Sequence, residues 1–276
     1  MRLFRVSLLV AISLLVAATI ATAHDLFLKP QVFFVAPNGT VRVAVLNGTF
    51  SSTEGSVSRD RLRDLSVVGV SGRSKIDTTA WTPAGKGTNW VVPVQGAGTY
   101  LLGASLLPRT IALKAKDFNS YLASDGLPNI LAERKQAGEL GADRNERYSK
   151  HVKALVQVGD ARSDGFGTVL GYPAELVPLN NPYDWRSGGP RVLRVRALVD
   201  GTPVPNQVVL AGGRTSSGAR LPEQMVRTDA QGIAQLSVSK KGLWYVKFIR
   251  MVRVPAAAKD SVDYESKWAT LTFAVK

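Results

Sequence analysis

Short runs of alternating apolar and polar residues, separated by turn residues, fill the chain from residue 24 to about residue 115. Residues 31–35 are followed by a Pro-Asn-Gly turn and then by residues 41–46, in which Arg42 stands between two valines. This alternation is typical of strands that bury one face. It recurs in residues 65–70, 90–94 and 99–105. The pattern predicts an antiparallel β-sandwich over residues 24–115.

The pattern changes at Asp117, which stands where the N-cap of a helix is expected. The apolar side chains after it lie at i, i+3 and i+4, so they share one helix face: Phe118, Tyr121 and Leu122. Gly126 follows as a stop signal. These residues predict a short amphipathic helix over residues 117–124.

Two further segments complete a helical insertion over residues 116–158. A second helix is predicted over residues 128–136, because Pro128 is suited to a first turn. Residues 145–156 carry apolar side chains at near-helical spacing, although residues 154–158 are equally compatible with a strand.

The last third of the chain is again rich in strand patterns. Residues 159–189 combine Gly, Asp, Ser and Pro and are interpreted as a connector. Strands are then predicted at residues 191–198, 204–210, 233–238, 242–249 and 268–275. The expected fold is mainly β, with two antiparallel β-sandwich domains (Ig-like or transthyretin-like), over residues 24–115 and 190–276, and a short helical insertion between them.

The first 23 residues have the features of a secretory signal peptide. Arg2 and Arg5 form a basic start, an apolar run extends through Ile20, and Ala-Thr-Ala at residues 21–23 supplies a cleavage site. We therefore expect a periplasmic or secreted protein that is not an integral membrane protein after cleavage. The mature chain would begin at His24.

Composition narrows the possible chemistry. The chain contains no cysteine and only two histidines, so a disulfide framework, a thiolate zinc site and a cysteine nucleophile are excluded. The formal charge of +14 comes from scattered basic residues with acids among them, which does not indicate a nucleic-acid interface.

The two histidines are the candidate metal ligands. After cleavage His24 would carry both an α-amine and an imidazole, which together can chelate a metal ion, and His151 could supply a third nitrogen. Asp25 could add a carboxylate or orient a ligand. Such a nitrogen set suits divalent copper or nickel, and copper is bound more tightly. Alternatively, His24 merely follows the cleavage site, and His151 is a structural histidine that hydrogen-bonds locally.

Seven motifs together resemble one known bacterial family: HDLFLKP at 24–30, residues 118–122 with Gly126-Leu127, ERYSKH at 146–151, ELVPL at 175–179 with NPY at 181–183, TDAQG at 228–232, GLWYVK at 242–247 and SKWATLTF at 266–273. The chain resembles a periplasmic family of unknown-function domains that is associated with nickel or cobalt uptake. The resemblance implies a β-sandwich protein whose mature N-terminal histidine region binds a transition metal. It also implies a membrane metal-uptake system as partner. Where relatives often carry histidine, this chain has Arg250.

Three functions remain open at this stage. The first is a non-enzymatic protein that binds a divalent metal through His24, His151 and Asp25 and delivers it for uptake. The second is a metal-free envelope binding or adhesion module. The third is a copper mono-oxygenase in which the two histidines form a brace around the ion.

Overall fold

The computed structural model describes residues 24–185, 191–255 and 262–276, and the predicted signal segment, residues 1–23, lies outside the described residues. The predicted mainly β fold is confirmed. No helix among the described ranges is long and apolar enough to cross a membrane.

Ten strands precede the helices. They are β1 (Asp25–Pro30), β2 (Phe34–Val35), β3 (Thr40–Gly48), β4 (Thr53–Gly55), β5 (Leu62–Gly69), β6 (Gly72–Lys75), β7 (Trp81–Ala84), β8 (Gly87–Pro93), β9 (Gly98–Leu106) and β10 (Arg109–Leu113). The strand expected over residues 31–35 is reduced to β2, and β1 was not predicted.

Two helices and nine strands follow. They are α1 (Ala115–Ser124), α2 (Pro128–Gln136), β11 (Arg144–Val158), β12 (Ala174–Pro178), β13 (Val192–Val199), β14 (Thr202–Pro203), β15 (Val208–Thr215), β16 (Arg220–Arg227), β17 (Ile233–Ser237), β18 (Gly242–Arg253) and β19 (Tyr264–Val275). The five strands predicted after residue 190 correspond to β13, β15, β17, β18 and β19. The segment expected to be a connector contains β12.

The strands form three sheets within the described ranges. A ten-stranded sheet, ordered β16-β15-β18-β19-β11-β9-β5-β6 with β2 and β10 at its side, is the largest. A five-stranded sheet of β1, β3, β4, β7 and β8 packs on it through one apolar cluster, and a four-stranded sheet of β12, β13, β14 and β17 packs through another. Strands from both predicted sandwiches therefore share one sheet, in which β11 lies between them and pairs antiparallel with β9 and in parallel with β19.

The helical interpretation of residues 145–156 is wrong, because this segment is the long strand β11. Alternate side chains face opposite clusters: Val152, Ala154 and Val156 belong to one, whereas Leu155 belongs to the other. The strand is buried on both faces but carries buried polar residues, among them Lys150, His151 and Lys153, so its apolar residues do not show the simple alternation of a half-buried strand.

Helix α1 buries the three side chains predicted to share its inner face, but it begins before Asp117. Its first residue is Ala115, and the backbone N–H of Ala115 donates to Asp143 Oδ1 at 2.9 Å. The N-terminus is therefore capped by a carboxylate 28 residues away along the chain, which no local motif could indicate.

Gly126 ends helix α1 as predicted, with a positive φ of 77°. The N–H of Leu127 donates to the carbonyl of Leu122, and both side chains are buried, as in a left-handed helix end. We expect Gly126→Ala to lower the free energy of unfolding by about 1–2 kcal/mol, because alanine resists a positive φ and its Cβ would lie 3.0 Å from Val208 Cγ1.

Urea denaturation measures this loss. Gly55→Ala is the matched control, since a Cβ at Gly55 would meet nothing within 4 Å. Equal effects of the two substitutions would contradict the conformational argument.

Strand β1 is held against the shared sheet by threonine side chains. Thr270 Oγ1 on β19 donates to the carbonyl of Leu26 at 2.8 Å, and Thr272 Oγ1 donates to the carbonyl of Leu28. Main-chain pairing with β3 occupies the other side of β1. These contacts fix the position of His24, the residue before the strand.

Candidate functional site

His24 lies beside a carboxylate that sequence analysis did not identify. Its Nε2 atom is 2.5 Å from Oε2 of Glu54, and 24% of the His24 side chain is exposed. Glu54 belongs to β4, which pairs with β3 next to β1. Glu54 occurs in a Ser-, Thr- and Gly-rich segment that resembles an ordinary connection, so no local signal distinguished it.

Asp25 lies deeper than His24 and forms an ion pair. Its Oδ2 atom accepts a hydrogen bond from Lys247 Nζ at 2.7 Å, and Lys247 also donates to Asp125 Oδ1 at 2.6 Å. Burial raises the pKa of Asp25, although the charge of Lys247 opposes that shift. Burial acts to lower the pKa of Lys247, but the charges of Asp25 and Asp125 outweigh it and raise that pKa.

The second carboxylate oxygen of Asp25 has no such partner. Oδ1 is buried and accepts no hydrogen bond in the part of the chain that the structure describes. Asp25 lines a cleft of about 460 Å³ together with His24 and Glu54. Arg214 and Arg220 are among the residues of its wall, so the cleft carries both signs of charge.

His151 is buried within the shared sheet, and both ring nitrogens are engaged. Nδ1 is 2.8 Å from Ser105 Oγ, and Nε2 is 3.0 Å from Ser149 Oγ. Burial, followed by the charges of Arg63 and Lys267, lowers the pKa of His151 to about 3. The imidazole is therefore neutral near pH 7, with one nitrogen donating to a serine and the other accepting.

The structure does not bring His24 and His151 together. Lys150 Nζ donates to the carbonyl of His24, and neighbouring side chains on β11 point to opposite faces of the sheet. The ring of His151 accordingly lies on the other face, 6.1 Å from the ring of Tyr172. A histidine brace requires both imidazoles at one ion, and this arrangement does not provide it.

Lys150 helps to fix the main chain at His24. Its ammonium lies 5.2 Å from the ring centre of Tyr148 and 5.3 Å from that of Trp268. Burial lowers its pKa to about 8. Arg250 lines a different pocket, beside α2, and is exposed.

The residues present fit a metal ion only in part. Within the described ranges, no three His, Asp or Glu side chains are grouped as a metal site. His24 is close to Glu54, and Asp25 lines the same cleft. An additional ligand is needed, and an α-amine on His24 would provide one.

Similarity to solved structures is weak. Escherichia coli alpha-2-macroglobulin activated by porcine elastase aligns over 91% of this chain and 20% of its own, with 10% identity and a TM-score of 0.25. A DUF4785 family protein from Legionella pneumophila aligns over 80% of this chain and 51% of its own, with 9% identity and a TM-score of 0.24. For murine CEACAM1b the coverages are 91% and 99%, with 9% identity and a TM-score of 0.20.

The chain thus spans about a fifth of the Escherichia coli protein and about half of the Legionella protein. No curated protein matches the chain. A family model described as a domain of unknown function, DUF4198, matches residues 21–251. The chain belongs to this DUF4198 family.

Proposed function

We propose that this protein is exported and binds a divalent transition metal, nickel, cobalt or copper, at His24, and that it takes part in uptake or delivery of that metal. The observation that carries the proposal is the 2.5 Å contact between His24 Nε2 and Glu54 Oε2 at the cleft. A histidine that binds a metal through one ring nitrogen usually donates the N–H of its other ring nitrogen to an acceptor such as a carboxylate.

The contact favours one tautomer of the His24 imidazole. A proton on Nε2, directed at Glu54, places the ring lone pair on Nδ1. Nδ1 and the α-amine belong to the same residue, so both can bind one ion if the signal peptide is removed after Ala23. Glu54 therefore orients the ring and increases its basicity, and His24 supplies two nitrogen ligands.

Asp25 supports the same site from inside the cleft. Its buried Oδ1 atom lacks a hydrogen-bond partner among the described residues, so that oxygen can interact with a cation. Nitrogen ligands of this kind hold divalent copper more tightly than nickel, and nickel more tightly than cobalt. A membrane metal-uptake system is the partner that this role requires.

The test uses signal-cleaved protein with an authentic His24 amino terminus, titrated calorimetrically with Ni²⁺, Co²⁺ and Cu²⁺. We expect one ion per chain. Binding should be lost in His24→Ala and weakened about 10–100-fold in Glu54→Gln, because the amide cannot replace the charged outer partner.

Two matched forms identify the ligands. One extra alanine before His24 retains the imidazole but displaces the α-amine, so we expect affinity to fall. His151→Gln lies on the other sheet face and should bind as the unmodified protein does. Failure to bind any of the three ions, or binding unaffected by His24→Ala, would overturn the proposal and favour a metal-free envelope module.

A further inference from the structure

A smaller pocket lies beside Lys150. Its volume is about 90 Å³, and its polar lining consists mainly of Ser56, Ser58, Arg61, Arg109, Tyr148 and Lys150. Three of these side chains are cationic and three carry hydroxyl groups. No carboxylate among the described residues lines this pocket, which we call the basic pocket.

Two of the three cations of the basic pocket, Lys150 and Arg61, are held in place by the protein. Lys150 is buried, and its ammonium donates to the carbonyl of His24. Arg61 Nη2 donates to the carbonyl of Leu107 at 2.8 Å, and the guanidinium lies 5.9 Å from the ring centre of Tyr148. Fixed donors of this kind lose little conformational entropy when a ligand binds.

The carboxylates that act on the cations of the basic pocket lie outside it: Asp60 acts on Arg61, and Asp25, Glu146 and Asp125 act on Lys150. Arg61 Nε is buried and has no hydrogen-bond partner in the described part of the chain. Burial lowers the pKa of Arg61, Tyr148 opposes that shift, and the charge of Arg109 adds to it. An anion between the three cations would relieve their mutual repulsion.

We propose that the basic pocket binds a compact oxyanion group, namely a phosphate, a sulfate or a carboxylate. Its volume equals that of about three water molecules, which suits one such group. Guanidinium groups bind oxyanions through paired N–H donors, and Lys150 and the serines add a point charge and hydroxyl donors. Three cations exclude a bare metal ion from the same place.

This proposal is independent of metal binding, so its test uses protein treated with EDTA. Inorganic phosphate, sulfate and acetate are titrated separately by calorimetry in a zwitterionic buffer. We expect saturable binding of at least one anion, with one ion per chain. The preferred anion distinguishes a tetrahedral from a planar ligand group.

Substitutions test whether the anion binds in the basic pocket. Arg109→Gln and Arg61→Gln should each weaken binding about tenfold or more, because each removes a charge-assisted donor. Arg63→Gln is the matched control: it lies near Arg61, is exposed, and removes the same charge without lining the pocket. Arg109 is also exposed, so Arg109→Gln tests the site even if Arg61→Gln fails to fold.

Absence of saturable binding for all three anions would overturn the proposal. An equal loss in Arg63→Gln and Arg109→Gln would also overturn it, because general surface charge would then account for the binding. Either result is compatible with a metal site at His24, and loss of metal binding leaves the anion result unchanged.

Discussion

Lys153→Met is expected to lower the free energy of unfolding by about 3–5 kcal/mol, because it leaves the carboxylate of Glu175 buried without its counter-ion. Lys153 Nζ lies 2.6 Å from Glu175 Oε2, and only 2% and 1% of the two side chains are exposed. Glu175 also accepts the backbone N–H groups of Leu170 and Tyr172, at 3.0 and 2.5 Å. The pair joins β11 of the ten-stranded sheet to β12 of the four-stranded sheet.

Urea denaturation measures this effect, and Lys114→Met provides the matched control. Lys114 pairs with Asp143 at 2.8 Å, but 79% and 55% of these side chains are exposed, so solvent screens the pair and its loss should change stability little. The double variant Lys153→Met with Glu175→Gln should regain part of the loss, since the buried charge is gone. A Lys153→Met variant as stable as Lys114→Met would refute this account.

His151 should make the protein about 4 kcal/mol less stable at pH 3 than at pH 7, apart from the contribution of other groups. Burial lowers its pKa in the folded protein to about 3. The unfolded chain has an ordinary histidine pKa of about 6.5 and therefore binds more protons in the window between the two values. The contribution of the neutral His151 to the free energy of unfolding is therefore fully present above pH 6.5 and is lost as the pH falls toward 3.

The variant His151→Gln isolates this contribution. Glutamine can still hydrogen-bond to Ser105 and Ser149, but it does not titrate. Unfolding free energies are measured by urea denaturation at several pH values, without metal, for both proteins. We expect the curve of the variant to be flatter by up to about 1.4 kcal/mol per pH unit between pH 6.5 and 3. Parallel curves would show that burial does not hold the imidazole neutral.

Features encoded by neighbouring residues were predictable from the sequence. Helix α2 occupies the predicted residues, because Pro128 suits a first turn, and Gly126 ends α1 because it adopts a positive φ. Features that depend on distant residues were not predictable. Asp143 caps α1 from beyond α2, and the parallel pairing of β11 with β19 joins residues more than a hundred positions apart.

In the candidate site, too, some residues were predictable from neighbouring sequence and others were not. His24 was identifiable because it follows a cleavage pattern, whereas Glu54 reaches it only through the pairing of β4, β3 and β1. Pairing His24 with His151 relied on their being the only two histidines. Residue counts cannot indicate which face of β11 each side chain occupies, and Lys150, not His151, faces His24.

The threonine contacts between β19 and β1 have a consequence for the order of folding. Thr270 and the Leu26 carbonyl that it binds are separated by 244 residues, so this contact can form only after strand β19 is present in the same compartment as β1. Contacts of such high sequence separation slow folding. A chain whose first strand gains its last contacts from the final strand completes folding late, which suits the proposed export. The pairing that brings Glu54 to His24 involves only β1, β3 and β4, whereas Asp25 would gain its partner Lys247 only after β18 had crossed.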